Sequence, residues 1–122
     1  MILALAVGLA GAVGAVARYL LDGAVQDRSS GLFPLGTLTV NAVGSIILGC
    51  VAGLSLRYAG AQTAETIIGT GFCGALTTWS TASWETVRLA QEGAAQVAVI
   101  YTLANLVTSL VAGGLGLLLV LR

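Results

Sequence analysis

The sequence has no lysine, no histidine and a single proline, and its 122 residues carry only five arginines and five acidic side chains. Charged residues make up 8%, against about 25% in an ordinary soluble domain. That shortage excludes a conventional water-facing surface, and with it most soluble enzymes. A formal net charge of zero leaves no basic excess with which to hold nucleic acid. The absence of histidine removes the commonest metal ligand and the usual proton shuttle. The two cysteines, Cys50 and Cys73, each sit alone in an apolar run, where a thiol is ordinary packing rather than half of a pair. What remains is 57% hydrophobic, with 17 glycines besides, at a mean hydropathy of +1.00. This composition is that of a small membrane protein forming a single domain.

The few charges mark out the topology. Residues 1–17, 29–56, 66–84 and 93–121 are uncharged, and a bilayer span needs roughly 20 apolar residues. The reading is an all-α integral membrane fold with four spans, at about 2–21, 35–56, 65–88 and 95–121. Long apolar runs without two-residue alternation disfavour a β-barrel. The first span is expected to stay in the chain, since no basic residue precedes it as one would in a signal peptide. Four spans put both termini on one side with Arg57 and Arg122, opposite Arg18, Arg28 and Arg88. So even a split gives the positive-inside rule nothing to choose by: the charges suit equally a chain oriented by a partner or by chance and one that inserts both ways and pairs antiparallel.

Polar side chains inside spans are costly and turn toward a neighbour or a cavity. Thr37, Asn41 and Ser45 share one face of the second span at i, i+4 and i+8, and Tyr101, Asn105 and Ser109 repeat the spacing on the fourth. Either stripe alone reads as interhelical hydrogen bonding; two matched stripes suggest a shared polar path. The third span holds seven Thr/Ser and three glycines between Thr66 and Trp84. Gly69, Gly71 and Gly74 spell a GxGxxG, but without a preceding strand it is no dinucleotide site. The glycines should weaken the helix, and a helix broken in the membrane is tolerated where its bare carbonyls bind an ion or line a cavity. Carbonyls freed near Gly74 to Thr77 could hold a cation, while hydroxyls and the positive edge of Trp79 could hold a small anion. Gly49 and Gly53 form a GxxxG suited to close helix packing, and Pro34 opens the second span. No nucleophile has a base beside it, so catalysis is not expected.

Gly11-Ala-Val-Gly14-Ala-Val-Ala-Arg18-Tyr19, then Pro34-Leu-Gly36-Thr37-Leu38 with Asn41 and Gly44, then Gly71-Phe-Cys-Gly74-Ala-Leu-Thr77-Thr78-Trp79-Ser80-Thr81 together resemble the Fluc/CrcB family of fluoride channels, over nearly the whole chain. The resemblance implies an antiparallel dual-topology dimer passing fluoride passively and selectively, which protects cells from fluoride. It also implies a structural sodium ion at the dimer centre, held by backbone carbonyls that fall here on Gly74 and Thr77. The fluoride pore would involve Asn41, Trp79, Ser80, Thr81, Tyr101, Asn105 and Ser109, with Arg18 near a vestibule and Glu85 as a pore-adjacent acid. Two positions depart from the family's usual third-helix pattern, where two phenylalanines are expected: Trp79 and Ala82. Either one ring suffices in a homodimer, the preferred reading, or a non-identical homologue supplies the missing rings.

Rivals from other classes fit less well. A four-span small multidrug exporter would need a membrane-embedded carboxylate in its first helix, and no acid precedes Asp22. A noncatalytic assembly subunit would not call for two polar stripes and a weakened third helix. A fluoride/proton antiporter would need a titratable relay in which Glu85 stands almost alone.

Overall fold

A computed structural model describes residues 1–122. The chain is entirely helical, without a strand. Helices α1 (Ile2–Gln26), α2 (Leu35–Arg57) and α6 (Ala95–Leu121) are each long and apolar enough to cross a membrane. Between α2 and α6 lies a compound segment: the short α3 (Gln62–Glu65), a π-helical stretch Thr66–Cys73, the single turn α4 (Gly74–Leu76), and α5 (Trp79–Gln91). Helix α1 continues through Asp22 to Gln26, past the end drawn from hydropathy. Those added turns put polar side chains beside the start of α2, where the Gly36 N–H donates to Gln26 Oε1 at 3.3 Å.

Glycine sets how closely these helices approach. The most extensive packing is α2 against α6. A Cβ on Gly49 would lie 2.1 Å from the Gly113 carbonyl oxygen, and one on Gly116 would lie 2.2 Å from that of Ile46. The GxxxG of α2 is therefore a contact seam, in which backbones meet because no side chain stands between them. Where the two helices end together, Arg57 Nη1 donates to the Val120 carbonyl at 2.8 Å. A cation there complements the unpaired carbonyls of the last turn.

The glycine cluster behaves differently from its sequence expectation. Gly69 and Gly71 do not break the helix; they lie within the π-helical stretch, packed on α1. A Cβ on Gly14 would meet the Phe72 carbonyl at 2.3 Å, and one on Gly71 would meet that of Val7 at 2.7 Å. The interruption falls instead on Thr77 (φ −81°, ψ 162°) and Thr78 (φ −150°, ψ 122°), both extended. β-Branched threonine tolerates extended backbone well. Thr78 then serves as N-cap of α5, its Oγ1 accepting from the Thr81 N–H at 3.1 Å.

Candidate functional site

The interruption releases backbone groups, and a side chain collects them. The Thr78 N–H, which would reach the Gly74 carbonyl in an unbroken helix, donates to Asn41 Oδ1 at 2.7 Å. The Thr78 carbonyl accepts from Asn41 Nδ2 at 3.1 Å. Asn41 thus pairs with both polar groups of one extended residue, and its second Nδ2 hydrogen goes to Asn105 Oδ1 at 2.8 Å. Asn105 is 8% exposed, and its own Nδ2 is buried without a hydrogen-bond partner. A buried N–H left unpaired typically costs about 1–3 kcal/mol.

Two grooves share Asn105 as a lining residue. One, of about 330 Å³, is lined by Asn41, Ser45, Trp79, Ala82, Asn105 and Ser109 among others. The second, of about 230 Å³, shares Trp79, Ala82 and Asn105 and adds Tyr101, Thr86 and Thr102. The α6 stripe of Tyr101, Asn105 and Ser109 therefore runs along both, over roughly 12 Å of helix at 1.5 Å per residue.

Next along the stripe, Glu85 accepts from two buried hydroxyls, Thr37 Oγ1 at 3.0 Å on Oε1 and Tyr101 Oη at 2.5 Å on Oε2. The Tyr101 ring, fully buried, stands edge-to-face with Phe33 at 5.4 Å between centroids. Glu85 also lines a third cavity, of about 420 Å³, at the end of the molecule where Asp22, Gln26, Asp27, Arg88 and Glu92 gather. In Tyr101→Phe, Glu85 Oε2 loses its hydroxyl partner. Thermal unfolding in detergent is expected to register a loss of about 1–3 kcal/mol, and an unchanged midpoint would mean that water replaces the hydroxyl without penalty.

Most of the residues singled out from sequence come together here, but not all. Asn41, Trp79, Asn105 and Ser109 share one groove, and Tyr101 joins Trp79 and Asn105 in the other. Ser80 and Thr81 line neither; their hydroxyls cluster on Thr78 Oγ1 at 3.3 and 2.9 Å, in the cap of α5. Trp79 is 78% exposed in the single chain. Ala82 is buried with Leu89, Ala98 and Tyr101 in the seam between α5 and α6, so this position packs helices together and offers no ring. Arg18 is half-buried on α1, outside the lining of the acidic cavity. Thr37, which shares Glu85 with Tyr101, and Phe33, which packs on the Tyr101 ring, also belong to this site. Thr37 had a legible signal, its place four residues before Asn41; Phe33, outside any periodic run, had none.

The family model described as "CrcB-like protein, Camphor Resistance (CrcB)" matches residues 5–117. The chain belongs to the CrcB-like family. It is 46% identical over 113 residues to fluoride-specific ion channel FluC 1 of Leifsonia xyli subsp. xyli, covering 93% of this chain and 82% of the relative. Fluoride-specific ion channel FluC 2 of Cutibacterium acnes is 43% identical, over 91% of each chain. Fluoride-specific ion channel FluC of a Sulfurovum species is 44% identical over 98% of this chain and 94% of its own. This CrcB-like chain is accordingly a multi-pass membrane protein, and the matches span its grooves and its interrupted segment alike.

Proposed function

We propose that this chain is a fluoride-selective channel giving passive fluoride export across the cell membrane, and so protecting the cell from fluoride. The observation that carries the reading is the buried, unpartnered Nδ2 of Asn105, on a side chain that lines both grooves of neutral donors. The relatives named fluoride-specific ion channels support it. Fluoride is small and strongly hydrated, and stripping an ion bare into a low dielectric costs tens of kcal/mol. Compact donors must replace that water. The Asn105 amide, the hydroxyls of Ser45 and Ser109, and the ring edge of Trp79 are such donors. None of these donors carries a full positive charge, so the ion can leave again. Chloride, being larger, fits such short contacts poorly.

The working unit in this reading is an antiparallel, dual-topology homodimer. Each chain crosses the membrane four times, the third crossing being the compound segment interrupted at Thr77–Thr78. Trp79, largely exposed in one chain, would gain a neighbour from the second copy. An anion channel needs no catalytic group and no membrane-embedded carboxylate in α1.

A structural sodium ion fits the carbonyls of Gly74 and Thr77. The amides that would have paired with them donate elsewhere, Thr78 N–H to Asn41 and Thr81 N–H to Thr78 Oγ1. Hard carbonyl oxygens suit a hard cation, and Gly74 is exposed on the surface of the single chain. Sodium bound there would balance the carbonyl dipoles of two facing chains. The residues themselves supply the cradle: Asn41 and the Thr78 hydroxyl keep the intervening amides turned away from it.

The test is fluoride efflux from liposomes that hold the purified protein, followed with a fluoride electrode and with chloride loss as control. Fluoride loss without chloride loss is expected. Absence of fluoride flux from protein shown to be folded would overturn the homomeric channel, and co-expression with a homologue would then test a mixed dimer.

A further inference from the structure

Resting on the channel reading, we propose that Thr86 and Thr102 form a two-hydroxyl seat for a small anion on the second groove, and that passing fluoride uses it. Both threonines line that groove, together with Trp79, Ala82 and Asn105. The rest of the lining has few donors to give. The Tyr101 hydroxyl goes to Glu85, the Ser83 hydroxyl to the Trp79 carbonyl at 2.9 Å, and Ala82 has no polar side-chain atom. Thr102 is exposed and Thr86 half-buried, and the contact between their hydroxyls is an exposed one.

A proton count separates this pair from an ordinary tie between helices. Thr86 Oγ1 and Thr102 Oγ1 lie 3.0 Å apart, one on α5 and one on α6. Each also reaches the carbonyl four residues back, that of Ala82 at 2.8 Å and that of Ala98 at 2.9 Å. A threonine hydroxyl has one proton, so these three contacts share two protons and one is always unmade. Neither carbonyl depends on a hydroxyl, because each already accepts the backbone N–H of its own helical ladder. Both hydroxyls can therefore turn to a ligand together and leave no carbonyl bare. Oxygens this close can converge on one ion at about 2.5–2.7 Å, the length of charge-assisted O–H bonds, which are roughly twice as strong as the neutral bonds given up. Thr102 lies about one helical turn from Asn105, so the seat extends the polar lining of α6 across to α5. Its donors are uncharged, and an ion held there can leave.

The experiment pairs fluoride efflux from liposomes with a binding measurement in detergent. Thr86→Val and Thr102→Val remove the hydroxyls and keep the branched shape, and each is expected to lower fluoride flux roughly tenfold. Thr86→Ser and Thr102→Ser keep the hydroxyl and should stay within about twofold of the parent. Binding is read from the emission of Trp79 in Trp84→Phe protein, where it is the sole indole and lines the groove. Sodium fluoride should shift that emission where sodium chloride does not, and the double valine variant should lose at least about half of the shift. Valine variants that conduct within about twofold of the parent, or that keep the whole shift, would show a plain tie between α5 and α6 and overturn the proposal. A parent without any fluoride shift overturns it as well. If the double variant does not fold, Thr102→Val alone, at an exposed position, decides by the same two measurements. A parent that carries no fluoride sinks the channel reading instead, and a fluoride shift lost with the hydroxyls would still put the anion on Thr86 and Thr102.

Discussion

Fluoride flux through Asn105→Leu is expected to fall by roughly 30-fold, while chloride flux stays at its background. Leucine keeps the volume of the side chain, so α6 retains its place beside α2, but the buried Nδ2 donor is gone. A hydrogen bond to a charged group is worth about 1.5–3 kcal/mol, and about 2 kcal/mol corresponds to the quoted factor. On the proposed channel reading the loss falls on the ion, because this donor makes no hydrogen bond within the chain. Fluoride-electrode traces from liposomes, normalised to folded protein, measure it. Flux within twofold of the parent would mean that the anion passes without calling on Asn105. The donor role would then fall to the hydroxyls and Trp79.

The second large effect concerns the α2–α6 seam. Gly49→Ala is expected to destabilise the protein by about 1–3 kcal/mol, because its Cβ would sit 2.1 Å from the Gly113 carbonyl oxygen and 2.9 Å from the Leu117 nitrogen. Both are backbone atoms of a helix, so neither can swing aside, and the two helices must separate. Gly114→Ala is the control on the facing helix α6: nothing lies within 4 Å of its Cβ. Alanine there should be neutral or stabilising by about 0.5–1 kcal/mol, since it restricts the unfolded chain and favours helix. Thermal unfolding in detergent should move in opposite directions for the two. A common direction would show that glycine spacing here reflects helix propensity rather than contact. Because Ser45 and Ser109 face the same seam, the seam also sets the width of the polar path, and Gly49→Ala should impair flux in the protein that remains folded.

Much of the site could be read from spacing alone. Thr37, Asn41 and Ser45, and Tyr101, Asn105 and Ser109, lie one helical turn apart, and a polar residue inside an apolar helix must find company. Spacing places residues on a face; it does not say which partner each will take. Thr37 turned to Glu85, not to α6, and Asn41 turned to the backbone of Thr78. Ser80 and Thr81 look in sequence like a continuation of the polar track. They are the hydroxyls of a helix cap, because an α-helix starting at Trp79 leaves amides that must be met locally.

The glycines of the third apolar run show the same division. Their number correctly marks that run as one that cannot be an ordinary lipid-facing helix. Their position does not mark the interruption, since a glycine surrounded by packed backbone serves contact as well as it serves bending. Gly71 stays helical against α1 and Gly69 against Leu48 of α2, and the chain opens only at Thr77 and Thr78, where Asn41 can replace the lost ladder bonds.

By itself, then, the sequence determined that the protein is helical, membrane-embedded and lined by neutral polar groups. Those properties follow from the transfer energies of side chains and from helical periodicity, and both are local. Only the tertiary structure decided which donor stays unpaired. That depends on how three amides, from Asn41, Thr78 and Asn105, divide a limited number of hydrogen bonds between segments 37 and 64 residues apart in sequence. The shortage of charge excludes soluble folds; the directed hydrogen bonding of neutral amides is what leaves an N–H of Asn105, and not its oxygen, without a partner.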